Sequence, residues 1–346
     1  MYSKSKLVVM ALSALVVFYA ALVMFYGHVV AQEGGAYKEI AVFVDVLKKI
    51  SDDYVDAPDM QKVMTGAMKG LVESLDAYGG FFQKDQLDQL EKRIKEQRGD
   101  IGVVLSKKPE LTYVVSTIPG SPAEKADIRP GDYIISVDET STFNMHLREV
   151  IGSFKGEPGS KVRLGVLRGS QAEPIEIAVQ REEIRIPEIH QQILEGSIGY
   201  LRPSFLGGES SRQFAAKLKT LQSAKVSKIL LDLRYVAGGD YGQAVEIANY
   251  FIKDGLLAYI QGKEKGRKDY MAEESKLICD LPLVVLVNTS TMGAAEVIAG
   301  AVKDRKRGQL VGEKSFGSGS IQERVELKDG SVLLLTTQRF FTPSGK

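Results

Sequence analysis

The chain has 346 residues, of which 44% are hydrophobic and 26% charged, so it can bury a sizeable core and should form two or three packed units. Its 45 basic and 44 acidic side chains nearly cancel and no basic cluster stands out, which excludes nucleic acid as an expected partner. A single cysteine, Cys279, rules out an internal disulfide. The three histidines are scattered far from any carboxylate or thiol cluster, so we expect no metal site and no cofactor.

The N-terminus departs from this composition, because two lysines precede an apolar run over residues 7–27. The run can span a bilayer and exceeds the usual core of a signal peptide, which favours an uncleaved anchor. Val29 and Ala31 nevertheless form the small-residue pattern that a signal peptidase cuts, here before Gln32. Residues 1–31 are therefore expected to be a signal peptide or a membrane anchor, and the rest of the chain to be translocated.

Residues 32–98 carry apolar side chains at three- and four-residue spacing, which predicts helices. Three stretches show the pattern: IAVFVDVLKKI, MQKVMTGAMKGLVESL and QLDQLEKRIKEQ. The segment DAYGGFF, residues 76–82, interrupts them with a glycine pair and predicts a loop. We expect a small N-terminal helical segment that contributes no chemistry.

The pattern changes at residue 99. Up to residue 183, short apolar stretches separated by Gly, Pro and Asp turns predict β-strands. These stretches are IGVVLSK, LTYVVSTI, DYIISVD, KVRLGVLR and IEIAVQ, with two helical stretches among them, SPAEKAD and residues 145–154. The string SPAEKADIRPGDYIISVD, with a strand before it and an amphipathic helix after it, resembles a circularly permuted PDZ module. Residues 99–183 are therefore expected to form a mostly-β PDZ domain.

The PDZ resemblance implies a groove for peptide C-termini. A bound peptide would lie along the strand that begins at Ile101, Gly102 and Val103, against the helix over residues 145–154. Backbone N–H groups would hold its carboxylate. Asp100 stands where such modules usually have a small residue, and its charge would oppose a peptide carboxylate if the side chain points inward.

Residues 184–346 alternate between strand and helix patterns, which favours an α/β core with a largely parallel sheet. The pairs are IGYLRP with SRQFAAKLKTLQ, KILLDLRYV with GQAVEIANYFI, and LPLVVLVN with AAEVIAGAVKD. A late strand, SVLLLTTQRFF, follows a Gly-rich loop. A dinucleotide-binding fold lacks its fingerprint, because no G-x-G-x-x-G follows a strand.

Five strings in this half resemble the carboxy-terminal processing (tail-specific) serine peptidases: IGYLRPSF, LDLRYVAGG, VLVNTSTMGAAEVIAGAVKD, VGEKSFGSGSIQ and LTTQRFFTPSGK. With the PDZ module and the segments near Tyr54 and Ser74, the resemblance covers nearly all of the chain beyond its apolar N-terminal run. It implies an α/β core of the crotonase/Clp-protease type with an inserted PDZ domain, and cleavage near the apolar C-termini of exported proteins. Family members usually continue beyond the segment that ends here at Lys346, so we expect either a truncated chain or a short product.

The family's chemistry uses a serine at the entrance of the helix after the third strand and a lysine in a downstream loop. The lysine removes the proton of the serine hydroxyl, which is a poor nucleophile without a neighbouring base. With Glu296 in register with the family's glutamate, the nucleophile position holds Gly293 and the general-base position holds Ser318. A glycine offers no nucleophile and a serine hydroxyl is no base near neutral pH, so we expect both halves of the dyad to be missing.

Other parts of the family's site are present in the sequence. Gln322 falls on the glutamine that orients the family's lysine, and Gly238 and Gly239 match the glycines of its oxyanion hole. The backbone N–H of Ala294, at the start of a helix, is the expected second oxyanion donor.

Two alternatives compete with an inactive homologue that binds peptide tails. The first is an active serine-type peptidase in which Thr291 or Ser290 acts with Lys314, all of which lie near the expected positions in sequence. The second is a subunit that assembles with an active paralogue and recruits substrate for it. The sequence is compatible with either a homo- or a hetero-oligomer. In each case we expect the protein at the cell membrane or in the periplasm, with the C-terminal tails of exported proteins as partners.

Overall fold

The computed structural model describes residues 38–108, 111–171 and 173–346. The predicted signal peptide or anchor over residues 1–31 lies outside these ranges. Within them, no helix has both the length and the apolar character needed to cross a bilayer.

The chain divides into two units after Ala67. The described part of the first unit holds helix α1, over residues 38–53, and the start of helix α2, Met60–Glu73. Asp59 fixes the start of α2, because its carboxylate accepts the backbone N–H groups of Gln61 at 3.0 Å and Lys62 at 3.1 Å.

The second unit, Met68–Lys346, contains a mostly-β part and an α/β part. Its helices are α3 (Lys84–Glu96), α4 (Pro122–Lys125), α5 (Leu147–Phe154), α6 (Ser210–Ser223), α7 (Tyr241–Asn249) and α8 (Ala294–Asp304), with a 3₁₀ turn at Glu274–Lys276. The strands of the mostly-β part and the strand before it are β1 (Gly80–Phe82), β2 (Gly99–Asp100), β3 (Val103–Lys108), β4 (Leu111–Thr117), β5 (Tyr133–Val137), β6 (Thr140–Ser141), β7 (Lys161–Leu167), β8 (Ile175–Gln180) and β9 (Glu182–Glu183). Those of the α/β part are β10 (His190–Leu194), β11 (Ile198–Arg202), β12 (Lys228–Asp232), β13 (Leu256–Gly262), β14 (Gly266–Met271), β15 (Leu283–Val287), β16 (Gln309–Gly312), β17 (Ser320–Glu326) and β18 (Val332–Phe341).

The mostly-β part is an antiparallel sheet in the order β3-β4-β5-β7-β8, with β6 paired to β5. Strand β3 forms one edge of this sheet. The two helical stretches expected from the sequence are α4 and α5, and each begins at a capping side chain. Ser121 accepts the N–H of Glu124 before α4, and His146 accepts the N–H of Arg148 before α5.

The α/β part is built on a sheet in the order β10-β11-β12-β15-β16. The pairings from β11 to β16 are parallel, as the alternation of strand and helix predicts, whereas β10 is antiparallel. Its core joins apolar side chains of β12 and β15 to one face of α8, where Ala294, Ile298 and Val302 are fully buried. Near-continuous apolar runs are typical of strands covered by helices.

A further sheet has the order β1-β18-β13-β14, with β17 also paired to β18. The loop predicted over residues 76–82 is wrong for its last three residues, which form β1 and pair Gly80 with Leu334. The physical reason is burial, because Phe81 and Phe82 are only 5% and 3% exposed, and Phe82 packs with Leu87, Val332 and Leu334. The β13–β14 hairpin was likewise absent from the sequence-based expectations.

Candidate active site

Gly293 is the last residue before helix α8, at the turn that leads from strand β15 into that helix. Its backbone angles are φ +66° and ψ −115°, a conformation that glycine adopts easily and other residues rarely. A Cβ atom at this position would meet nothing closer than the Cα of Gly238, at 3.7 Å. The turn therefore resembles a nucleophile elbow, and a Cβ atom there would make only ordinary van der Waals contacts with the Gly238 backbone.

One carboxylate joins the two expected dyad positions. Glu296, in the first turn of α8, accepts the backbone N–H of Gly293 at 2.9 Å and that of Ser318 at 2.8 Å. Its other oxygen accepts the N–H of Gly317 at 2.6 Å and the hydroxyl of Ser315 at 2.7 Å. These bonds hold the loop before β17 against the start of α8, so positions 293 and 318 lie in one site.

The side chain of Ser318 lies among other hydroxyls. Its Oγ is 3.5 Å from the Tyr78 hydroxyl, which is 3.2 Å from the Oγ of Ser106 in β3. The Tyr241 hydroxyl donates a long hydrogen bond of 3.5 Å to the Ser318 carbonyl. Burial, with a smaller contribution from Glu296, raises the pKa of Tyr241 to about 12, so this tyrosine stays protonated at neutral pH. A cluster of serine and tyrosine hydroxyls supplies no general base near neutrality.

The two glycines matched to the oxyanion hole form the turn between β12 and α7. Gly238 and Gly239 have φ values of +73° and +100°. A Cβ atom on Gly239 would lie 2.4 Å from the Leu206 carbonyl oxygen, so only glycine fits there. The structure brings Gly238 next to Gly293 and buries Ala294 completely in the first turn of α8. The backbone groups expected of an oxyanion hole thus lie beside Gly293, the residue at the expected nucleophile position.

Gln322 lies in strand β17, two residues beyond the strand's start at Ser320. Its side-chain amide donates to the Thr336 hydroxyl at 3.1 Å, across the β17–β18 pair. This contact orients Gln322 along the sheet and satisfies one of its donors.

The residues proposed for a shifted dyad occupy structural positions. Thr291 is fully buried, donates its hydroxyl to the Leu233 carbonyl at 2.9 Å and accepts the N–H of Asn288 at 3.0 Å. Ser290 is also buried, with its N–H bonded to the Asn288 side chain at 3.2 Å. Lys314, in contrast, is exposed. The buried hydroxyl and the exposed amine differ in environment, and Thr291 serves the turn as a cap.

The mostly-β sheet packs directly on the expected site. Tyr113 and Val115 of β4 form an apolar cluster with Ala237 and Met292, the residues just before Gly238 and Gly293. Phe316, from the loop held by Glu296, stacks on Tyr113 with ring centroids 6.2 Å apart. Burial raises the pKa of Tyr113 to about 12. No local sequence pattern predicts this cluster, because its residues come from distant segments of the chain.

Tyr78 connects three elements of the site. Asp76 turns the chain before β1 by accepting the N–H groups of Tyr78 and Gly79 at 2.8 and 2.9 Å. The Tyr78 carbonyl lies 3.2 Å from Nε2 of His146 at the start of α5, and its hydroxyl reaches β3 and position 318. Burial lowers the pKa of His146. Tyr78 therefore bridges the edge strand, the neighbouring helix and Ser318, the residue at the expected general-base position.

The residues expected to bind a peptide carboxylate lie where the edge strand begins. Ile101 and Gly102 form the turn between β2 and β3, Val103 starts β3, and Ile101 is fully buried. The carboxylate of Asp100 points inward and accepts the N–H of Ile101 at 2.6 Å and that of Gly102 at 3.4 Å. A side chain of the chain itself thus contacts the donors that the PDZ resemblance assigns to a ligand.

Metal-ligating side chains do not cluster in the described ranges, where no group of His, Cys, Asp and Glu is arranged to hold an ion. Cys279 is a free, buried thiol whose pKa is raised by burial.

Two family models match the chain: Peptidase family S41 over residues 197–346 and PDZ domain over residues 113–168. A carboxy-terminal-processing protease of Bartonella bacilliformis is 30% identical over 320 residues, which cover 90% of this chain and 73% of the relative. The carboxy-terminal processing protease CtpA of Bacillus subtilis is 31% identical over 300 residues, covering 86% of this chain and 64% of that protein. The chain therefore spans less than two thirds of the Bacillus relative.

Among solved structures, the photosystem II D1 C-terminal processing protease superposes with a TM-score of 0.73 at 27% identity, covering 88% of this chain and 89% of that one. The match extends through both the mostly-β and the α/β part of the second unit, which confirms the predicted fold class: a peptidase core with a PDZ domain and N-terminal helices. The chain belongs to the carboxy-terminal processing peptidases of family S41 and carries a PDZ domain.

Proposed function

We propose that this chain holds the tails of exported proteins in its PDZ groove and does not hydrolyse them by the serine–lysine mechanism of its family. The observation that carries the proposal is the site around Glu296, where the nucleophile position is Gly293 and the general-base position is Ser318. Acyl transfer needs a nucleophile and a base within hydrogen-bond reach of each other. Neither group is present at these two positions.

The contacts of Thr291 argue against a relocated dyad. A nucleophilic hydroxyl must give its proton to a base, but the Thr291 hydroxyl donates to the Leu233 carbonyl and is completely buried. To act, the hydroxyl would have to break two hydrogen bonds that cap the turn before α8. Lys314 is exposed, whereas the Thr291 hydroxyl is buried and donates to a backbone carbonyl, so the two groups lie in different environments.

The PDZ part retains the features of a strand-addition site. Strand β3 is a sheet edge, and helix α5 packs beside it. An extended peptide can pair with such an edge through main-chain hydrogen bonds, while pockets beside the helix take alternate side chains. Binding of this kind needs no catalytic residue, so it is compatible with the loss of the dyad.

We further propose that the protein acts on the outer side of the cytoplasmic membrane. Support comes from the apolar run over residues 7–27 behind two lysines, a pattern that predicts translocation of the remainder of the chain.

The test is hydrolysis by the purified protein of an unfolded substrate that ends in apolar residues, scored by mass spectrometry. We expect no cleavage above that of a preparation without the protein. Cleavage that is lost in Thr291→Ala or Lys314→Ala would overturn the proposal and establish a shifted dyad. Cleavage that survives both changes points to a contaminant, which repurification under denaturing conditions and subsequent refolding should remove.

A further inference from the structure

The turn before strand β3 already holds a carboxylate. Asp100 places Oδ1 on the N–H groups of Ile101 and Gly102, and its Oδ2 accepts the ammonium of Lys155 at 2.6 Å. Both side chains are largely buried, with exposures of 23% for Asp100 and 20% for Lys155. Two backbone donors and a cation around one carboxylate are what a protein offers to the end of a peptide.

The backbone around Asp100 fixes this arrangement. Gly99 and Gly156 exchange N–H···O bonds of 2.9 and 3.1 Å, which hold the residue after Lys155 against the residue before Asp100. A Cβ atom on Gly99 would lie 2.6 Å from the Gly156 carbonyl oxygen, so the close approach needs glycine. Gly102, at φ +79°, turns its N–H toward the same carboxylate. The contact between Gly99 and Gly156 therefore brings Lys155 beside Asp100.

We propose that Asp100 is an internal occupant of the carboxylate site in the PDZ groove. The groove would then select its ligands by strand pairing with β3 and by side chains, and not by a free C-terminal carboxylate. The chemical class it takes is an extended apolar peptide, bound equally well as a free acid, as an amide or as an internal segment. This inference rests on the proposed peptide-binding function and deepens it.

Competition between Asp100 and the ligand carboxylate explains why the groove would not prefer a free C-terminus. An incoming carboxylate must displace Asp100, which is tethered beside the donors at an effective concentration on the order of millimolar or more. If Asp100 stays in place, the second carboxylate meets a like charge at close range, which acts against binding. In both cases, a free C-terminal carboxylate adds little to the affinity of the peptide for the groove. In a variant without Asp100, both backbone donors and the Lys155 ammonium become free for the ligand.

The experiment compares two fluorescein-labelled decapeptides with the same apolar end, Leu-Ala-Val, one as the free acid and one as the amide. Binding to the full-length protein is measured by fluorescence polarisation. We expect affinities within about twofold of each other for the wild-type chain, and a preference for the free acid of about tenfold or more for Asp100→Ala. Asp100→Asn, which keeps the shape, should give an intermediate preference. Glu182→Gln is the matched control, since Glu182 pairs with Asp100 in strand register but bonds to Lys125.

A second measurement does not depend on a ligand. Hydrogen exchange of the backbone over residues 99–103, read by mass spectrometry, should be slow in the wild-type chain and at least about tenfold faster in Asp100→Ala and Asp100→Asn. A clear wild-type preference for the free acid, or equal exchange in the wild-type chain and both variants, would overturn the inference. If exchange changes as expected but no variant binds either peptide, the internal occupant is established and the proposed peptide-binding function fails.

Discussion

Gly293 and Ser318 donate their backbone N–H groups to the same oxygen atom, Oε2 of Glu296, at 2.9 and 2.8 Å. The two positions belong to different elements of the α/β part, one at the start of α8 and one in the loop before β17. Their common acceptor fixes the distance between them without help from either side chain. The scaffold of the two expected dyad positions is therefore built from backbone groups, whichever side chains stand there.

The first prediction concerns that scaffold. Gly293→Ser combined with Ser318→Lys should give detectable cleavage of a tail-bearing substrate, because a hydroxyl and an amine would face the N–H groups near Gly238. Each single change should stay inactive, since losing either member of a nucleophile–base unit removes most of its effect. A serine at φ +66° should also lower the free energy of unfolding by about 1–3 kcal/mol.

Product formation by mass spectrometry and chemical denaturation check these two expectations. The matched control combines Gly293→Ser with Ser318→Met, which supplies a long side chain without an amine. Equal activity in that control would show that the lysine amine does not act as the general base.

Glu296→Gln tests whether the Glu296 carboxylate holds the loop before β17 against the start of α8. The amide can accept on one side only, so at least one backbone N–H loses its acceptor: that of Gly317 in one orientation, or those of Gly293 and Ser318 in the other. We expect a loss of about 2–4 kcal/mol in the free energy of unfolding and faster hydrogen exchange over residues 315–318. Glu313→Gln, an exposed acid of the same loop, is the control and should change neither quantity. Unchanged exchange in the first variant would contradict the bridging role.

Thr291→Val separates a structural threonine from a catalytic one. The change keeps the shape but removes the hydrogen bonds to Leu233 and Asn288, so stability should fall by about 1–3 kcal/mol. Thr289→Val, at an exposed position two residues earlier, should be close to neutral. Denaturant titration measures both variants. A stability equal to wild type in Thr291→Val would show that the hydroxyl is not a cap.

Tyr241 should make the free energy of unfolding depend on pH in the alkaline range. Its pKa rises from 10.0 in the unfolded chain to about 12 in the folded protein, mainly by burial. Its contribution to stability is therefore complete below pH 10 and is lost as the pH rises toward 12, because the unfolded chain releases the proton first. Tyr241→Phe keeps the ring that stacks on Phe340 and should flatten the fall in stability between pH 10 and 12. Identical slopes for the two proteins would contradict the assignment.

The location has its own test. A reporter enzyme that works only outside the cytoplasm, fused after Lys346, should be active, and a reporter that needs the cytoplasm should be inactive. Removal of residues 1–31 should reverse both results, because the translocation signal is predicted to lie there. Cytoplasmic activity of the intact fusion would end the proposal that the chain meets exported proteins.

The sequence predicted those parts of the fold whose signal is local. The alternation of apolar strands and helices predicted the parallel sheet, and the string around Gly131 and Asp132 predicted the PDZ part. Strand β1 escaped prediction because DAYGGFF is too short and too rich in glycine to show a period, and its pairing with β18 is a tertiary effect. Tyr113 and Phe316 meet only in the folded chain, so no spacing between them could be recognised.

Asp100 illustrates what the identity of a single residue can predict and what it cannot. Its position before Ile101 was enough to predict a conflict with a peptide carboxylate if the side chain pointed inward. The partner Lys155, 55 positions later, could not be predicted, because the glycine contact that brings it there depends on the packing of α5.

The pairing of β1 with β18 has a consequence for the order of events during synthesis. Gly80 finds its partner in Leu334, about 250 residues later in the chain, and contacts of such long range make folding slow. A growing chain cannot complete this sheet until residues 332–334 have been made. Until then, Phe81 and Phe82 are exposed, and the unfinished chain offers an apolar segment to chaperones. Anything that delays or removes β18 should leave the protein in that open state and make it a target for quality control.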